Sequence, residues 1–141
     1  MNDRTAEPAN GSVATCACGA LRVHTTGRPE RVNACTCFAC QKRSGSCFSY
    51  TAFFPDPAVE IQGSFRSWRG PRDPGRWHEA SFCPDCGVTV FVRLEALPGL
   101  TGVSVGCFSD PAFQRPDRFY WISNRHHWLV NPHEVPTAET Q

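Results

Sequence analysis

Three cysteines fall close together in the stretch ACTCFACQKRSG, at Cys35, Cys37 and Cys40. Sulfurs spaced as Cys-x-Cys-x-x-Cys can converge on one soft metal ion. Two further pairs flank them, Cys16 and Cys18 in CACG and Cys83 and Cys86 in FCPDCG. Each pair is followed by a glycine, Gly19 or Gly87, which permits the backbone angles of a metal-binding turn. One such pair alone fits buried small residues, as free cysteines often are. Two pairs, each closed by glycine, fit better as a four-sulfur structural zinc site. The middle triplet leaves two readings open. Three protein ligands with an exchangeable fourth position form a catalytic zinc; a fourth ligand from the chain makes a second structural one. Cys47, Cys107, His24, His78, His126, His127 and His133 are the residues able to close it. An all-sulfur set favours a further soft ligand, such as a substrate thiolate. A metal there lowers the thiol pKa and fixes its sulfur in place. The triplet spacing matches neither ferredoxin pattern, which argues against an iron–sulfur cluster.

The rest of the chain must position these sulfurs. Its 141 residues fit one domain, large enough to bury a core without external staples. Of nine cysteines, seven fall in close clusters, and these are expected as metal ligands in a reducing compartment rather than as disulfides. The opening MNDRTAEPANGS has no apolar stretch of the signal-peptide kind, so a cytoplasmic location is expected. No run approaches the roughly 18 apolar residues of a membrane span. A net charge of +1 provides no basic field for nucleic acid or for an anionic membrane.

Short β-branched and aromatic runs separated by turn residues indicate a mostly β domain. ALRVHT, SCFSYTAFF, VEIQG, SFRSW, GVTVFVRLE, GVSVGCF and RFYWIS are read as strands. The two cysteine pairs are expected to tie a strand at 13–24 to one at 77–92. One helix is expected over Phe38–Ser44, closed by Gly45. Residues 1–11 read as a tail, 12–130 as the domain and 131–141 as a second tail. RGPRDPGR, residues 69–76, reads as a loop. Lys42 and Arg43 follow the triplet and suit either a site for a carboxylate of the substrate or, slightly better, a solvated turn with ordinary surface charge. Arg66, Arg69, Arg72 and Arg76 suit an anion-binding rim or, more commonly, a solvated surface. His126 and His127 are adjacent and point to opposite faces if extended, so they are not expected to share a metal. The four tryptophans are expected in the core or in groove walls.

The order CACGALRV, CTCFACQKRSGS, GSFRSW, FCPDCGVTVF, VGCFSDPAF, then Trp121 and Trp128, resembles the glutathione-dependent formaldehyde-activating enzyme family, which includes the centromere protein V type domain. The resemblance implies a β-tent fold of short antiparallel strands, similar to that of a small zinc-binding chaperone of Rab GTPases. It implies two zinc ions per chain: a structural one on Cys16, Cys18, Cys83 and Cys86, and a catalytic one on Cys35, Cys37 and Cys40. It implies a carbon–sulfur lyase acting on a small-molecule thiol such as glutathione, with formaldehyde as the partner that gives S-hydroxymethylglutathione. Thr36 stands where the family frequently has a histidine, and Cys47 where it often has proline or alanine. The alternative is a non-catalytic zinc module that binds another protein.

Overall fold

The computed structural model describes residues 11–72, 75–131 and 134–140. All but Gly11 of the expected tail at 1–11 lies outside them, as does His133. Three short strands form one sheet in the order β1 (Ser12–Thr15), β2 (Arg22–Thr25), β5 (Val59–Gln62). Seven form the other, in the order β10 (Arg118–Tyr120), β3 (Arg31–Cys35), β4 (Ser49–Pro55), β9 (Leu100–Ser104), β8 (Thr89–Leu94), β7 (Arg76–Phe82), β6 (Arg66–Arg72). Every pairing is antiparallel except β10 with β3. This is the mostly β, antiparallel architecture expected. No helix among the described residues is long and apolar enough to cross a membrane.

The main core lies between the two sheets. Ala14, Leu21 and Val23 from the small sheet meet Val32, Ala52, Phe54, Val90 and Val103 from the large one. Cys16 and Cys83 belong to the same buried cluster. The large sheet is covered on its other face too, where Phe53, Ala80, Val92 and Leu94 pack together. Strand β4 therefore buries successive residues from Thr51 to Phe54 instead of alternating with solvent, as two-sided burial requires.

The cysteine pairs lie between strands rather than within them. The expected strands at 13–24 and 77–92 are each two strands joined by a cysteine turn, β1 to β2 and β7 to β8. Gly19 and Gly87 sit at φ +80° and +78°, which lets the chain reverse there. RGPRDPGR is likewise no simple loop, because its ends extend strands β6 and β7. Pro71 is tolerated within β6 because that strand is the sheet edge. Arg69 pairs with Glu79 at 3.2 Å and stacks over Trp77, so it is committed within the hairpin. Trp68 and Trp128 are mostly exposed. Trp68 lies against Gly70, where an added Cβ would overlap its ring.

Two segments near the C-terminus also differ from the sequence reading. RFYWIS is a strand only to Tyr120. Trp121 turns into left-handed backbone at φ 56°, and a 3₁₀ turn follows at Ile122–Asn124. The described part of the expected tail at 131–141 packs on β10. The Phe119 amide donates to the Pro136 carbonyl, the Ala138 amide donates to the Phe119 carbonyl, and Val135 is buried with Ala34, Phe119 and Ile122. Val135 supplies an apolar anchor that the prolines around it obscure.

Candidate functional site

The four sulfurs of Cys16, Cys18, Cys83 and Cys86 all lie within 4.8 Å of one another, and so do the three of Cys35, Cys37 and Cys40. Among the described residues, no other cysteine, histidine or carboxylate joins either group. Cys18 lies 3.6 Å from both Cys16 and Cys83. A disulfide needs sulfurs at about 2.05 Å, so these are not bonded pairs. Sulfurs at the corners of a tetrahedron, each about 2.3 Å from a central zinc, stand about 3.8 Å apart. The observed spacing fits a metal.

Backbone amides aim at the sulfurs of the first group. The Leu21 amide donates to Cys16 Sγ at 3.2 Å. Amide bonds from Val88 and Cys18 bring the Cys86 thiol down to about 6. The Ala20 amide favours the Cys18 thiolate too, but hydrogen bonding with Cys16 and Cys83 outweighs it and pushes Cys18 up to about 12. Crowded thiols thus divide their protons unequally, and a cation among them would let all four ionise. The group joins the β1–β2 turn of one sheet to the β7–β8 turn of the other.

The triplet is built differently. Cys35 ends β3, and Cys37 caps helix α1 (Phe38–Ser44), its sulfur accepting the Cys40 amide at 3.4 Å. Gly45 closes the helix in left-handed backbone at φ 64°, the geometry that favours glycine. The helix has the expected bounds. Its Gln41 amide donates to the carbonyls of Thr36 and Asn124, and its Oε1 meets His126 Nε2 at 3.0 Å. His126 thereby braces the helix while both histidines of the pair stay exposed. Thr36 is fully buried, with its hydroxyl donating to the carbonyls of Tyr120 and Trp121. Its side chain is turned away from the sulfurs.

Hydrogen bonds from Cys35 and Cys37 hold the Cys40 thiol well below its ordinary value, helped by the Arg43 charge and the Ser49 hydroxyl. The same contacts push Cys35 well above its own. One thiol of the three is therefore prepared to ionise at the expense of its neighbours.

A pocket of about 420 Å³, part of it open to solvent, lies beside Cys35 and Cys40. Strand parity explains its floor. Asn33 and Cys35 on β3, and Ser49, Thr51 and Phe53 on β4, project from one face of the sheet. His78, Val92 and Leu94 add a wall, and Ala39 and Arg43 come from the helix. Gly102 on β9 passes beneath, where a Cβ would come within 2.9 Å of Thr51, Phe53 and Val92. Only a residue without a side chain leaves this floor its shape.

Of the residues singled out from sequence, Arg43 lines the pocket, whereas Lys42 is exposed on the helix. His78 lines it without joining the sulfurs. Cys47 is half-buried and stays outside the triplet. Cys107 packs near the other group, its sulfur 3.8 Å from the Thr89 carbonyl and its thiol raised by burial to about 11. Asn33, Ser49 and Thr51 were missed. Their signal was parity with Cys35 across a strand pair, which a single sequence does not display until the register is known.

The model of the glutathione-dependent formaldehyde-activating enzyme family matches residues 12–124. A Penicillium rubens protein that bears the name of the same enzyme is 30% identical over 131 residues, covering 86% of this chain and 68% of its own. A crystal structure of a Rhodobacter sphaeroides protein aligns with a TM-score of 0.57 at 18% identity, covering 89% of this chain and 99% of that one. At that identity the likeness concerns the fold alone.

Proposed function

Because the chain belongs to the glutathione-dependent formaldehyde-activating enzyme family, we propose that it is a zinc-dependent enzyme making or breaking a carbon–sulfur bond on a small thiol, glutathione being the first candidate. The observation that carries this reading is the contrast between the two cysteine groups. Four sulfurs form a closed set, whereas the triplet has no fourth protein partner among the described residues and two of its cysteines, Cys35 and Cys40, line a pocket. The first group would hold a structural zinc and the second a catalytic one. A zinc bound by the triplet would supply a lowered thiol pKa and a fixed position for the substrate sulfur.

The chain's own residues supply the rest. Cys35 and Cys40, which line the pocket, would fix the side from which the reacting sulfur is held. Arg43 offers a positive charge to a carboxylate or to the thiolate itself, and Lys42 one nearby on the exposed side of the helix. Phe53, Val92 and Leu94 limit water around the reacting carbon, which strengthens each polar contact made there. In the forming direction the thiolate sulfur attacks the aldehyde carbon. The C=O electron pair moves onto the oxygen, which then takes a proton from solvent. The reverse step returns thiol and aldehyde, a lyase reaction. A cytoplasmic setting, with its supply of reduced thiols, suits this chemistry.

Binding linked to thiol ionisation tests the reading. A free thiol near pKa 8.5 must release its proton to bind as thiolate. Its proton is therefore held in the free state and lost in the complex, so rising pH favours binding. Glutathione affinity should increase about tenfold per pH unit between the bound and free thiol pKa values, and level off above about 8.5. S-methylglutathione should bind weakly with no such slope. Calorimetry at several pH values reads both. Equal affinity for the two ligands, without proton release, would rule out capture through sulfur.

A further inference from the structure

Asn33 lies on the pocket floor two residues before Cys35 on β3. It is 6% exposed, and its Nδ2 has no hydrogen-bond partner among the described residues. A buried donor left unpaired is costly, so its retention in a pocket wall points to a partner that arrives from outside. Of the neighbouring polar groups, Ser49 and Arg43 act on the Cys40 sulfur, and the imidazole ring of His78 packs against Trp68. Phe53, Val92 and Leu94 surround the site with apolar surface, where one well-placed donor counts for more than in water.

We propose that Asn33 donates from Nδ2 to the oxygen carried by the carbon next to the substrate sulfur. Its ligand is thus the aldehyde, hemithioacetal or thioester oxygen of an S-adduct, and a plain thioether lacks the matching acceptor. This rests on the thiol reading above. In the forming direction the carbonyl pair moves onto that oxygen as the sulfur–carbon bond forms. The same donor then faces greater negative charge before solvent protonates it, the arrangement by which fixed dipoles favour a transition state. Asn33 holds no proton and changes none, so its effect should not vary with pH.

Two stable probes of nearly equal shape separate the outcomes. S-acetylglutathione carries a carbonyl oxygen on the carbon bonded to sulfur; S-isopropylglutathione carries a methyl group in its place. Both probes lack a free thiol and bind weakly, so calorimetry at ligand concentrations high enough to fill the site on the zinc-loaded wild type should show the acetyl ligand favoured by about tenfold, the worth of one buried hydrogen bond. Asn33→Leu should abolish that preference, the ratio of acetyl to isopropyl affinity falling from about ten to about one. It should also raise the melting temperature, because an unpaired buried donor is removed. Asn33→Ala removes the donor without adding bulk; it should abolish the acetyl preference as well and so keeps the test open if the leucine variant folds poorly. If glutathione binds but the acetyl preference survives in both variants, Asn33 is not the donor, and the thiol reading stands. If wild-type protein binds neither glutathione nor either probe, the thiol reading fails and this assignment with it.

Discussion

Replacing Cys83 with serine is expected to unfold the protein at ordinary temperature. Cys83 is fully buried in the main core, and its group joins the β1–β2 turn to the β7–β8 turn, so it holds the small sheet on the large one. A structural zinc contributes on the order of 10–16 kcal/mol of apparent binding energy in small zinc domains. The net stability of a domain is only about 5–15 kcal/mol. Loss of this ligand therefore removes an amount comparable to the whole. Cys86→Ser should behave alike. Far-ultraviolet circular dichroism and thermal melting in the presence of zinc would read the loss. A cooperative melt near that of the wild type would show that the four-sulfur group is not what holds the sheets together.

Cys40→Ser should have the opposite profile, with the fold retained and thiol binding lost. The triplet spans only residues 35–40, so it closes no long loop and contributes little chain-entropy restraint. Cys40 itself lies in a short helix whose Gln41 and Gly45 bonds do not involve its sulfur. Metal content should fall from about two zinc ions per chain to about one. Glutathione affinity and turnover should each fall by at least about 100-fold, beyond what losing a group that merely supports a ligand usually costs. Cys47→Ala is the matched control and should leave zinc content and thiol binding near wild type. Were Cys47→Ala to strip the second zinc, the triplet would be closed by the chain and its catalytic role would lose its basis.

Side-chain chemistry and short-range backbone rules made the two cysteine groups legible from sequence. The glycines after Cys18 and Cys86 marked two reversals, and Gly45 marked the end of α1. What stayed hidden depended on pairing between distant segments. The stretches at 13–24 and 77–92 read as continuous strands because their apolar residues continue on both sides of the turn. Pro71 disguised β6, since nothing local says that its strand is an edge. Trp121 adopts left-handed backbone, which its own side chain disfavours, and only the bonds from Thr36 to its carbonyl and that of Tyr120 show why the chain bends there. Position 36 also shows the limit of reading roles from adjacency: Thr36 sits between two cysteines of the triplet, yet its hydroxyl bonds to the carbonyls of Tyr120 and Trp121. Asn33 lies on β3, a strand absent from the sequence reading, and only the register placed it opposite Thr51 and on the same face as Cys35.

The account depends on one position at the triplet being left for a substrate sulfur. Zinc K-edge absorption on fully loaded protein, before and after glutathione, measures this most directly. Seven cysteines shared between two ions predict an average of about 3.5 sulfurs and 0.5 lighter atoms per zinc at rest, rising to about 4 sulfurs when glutathione is added. An average of 4 sulfurs before any thiol is added, or one that stays at about 3.5 under saturating glutathione, would contradict it.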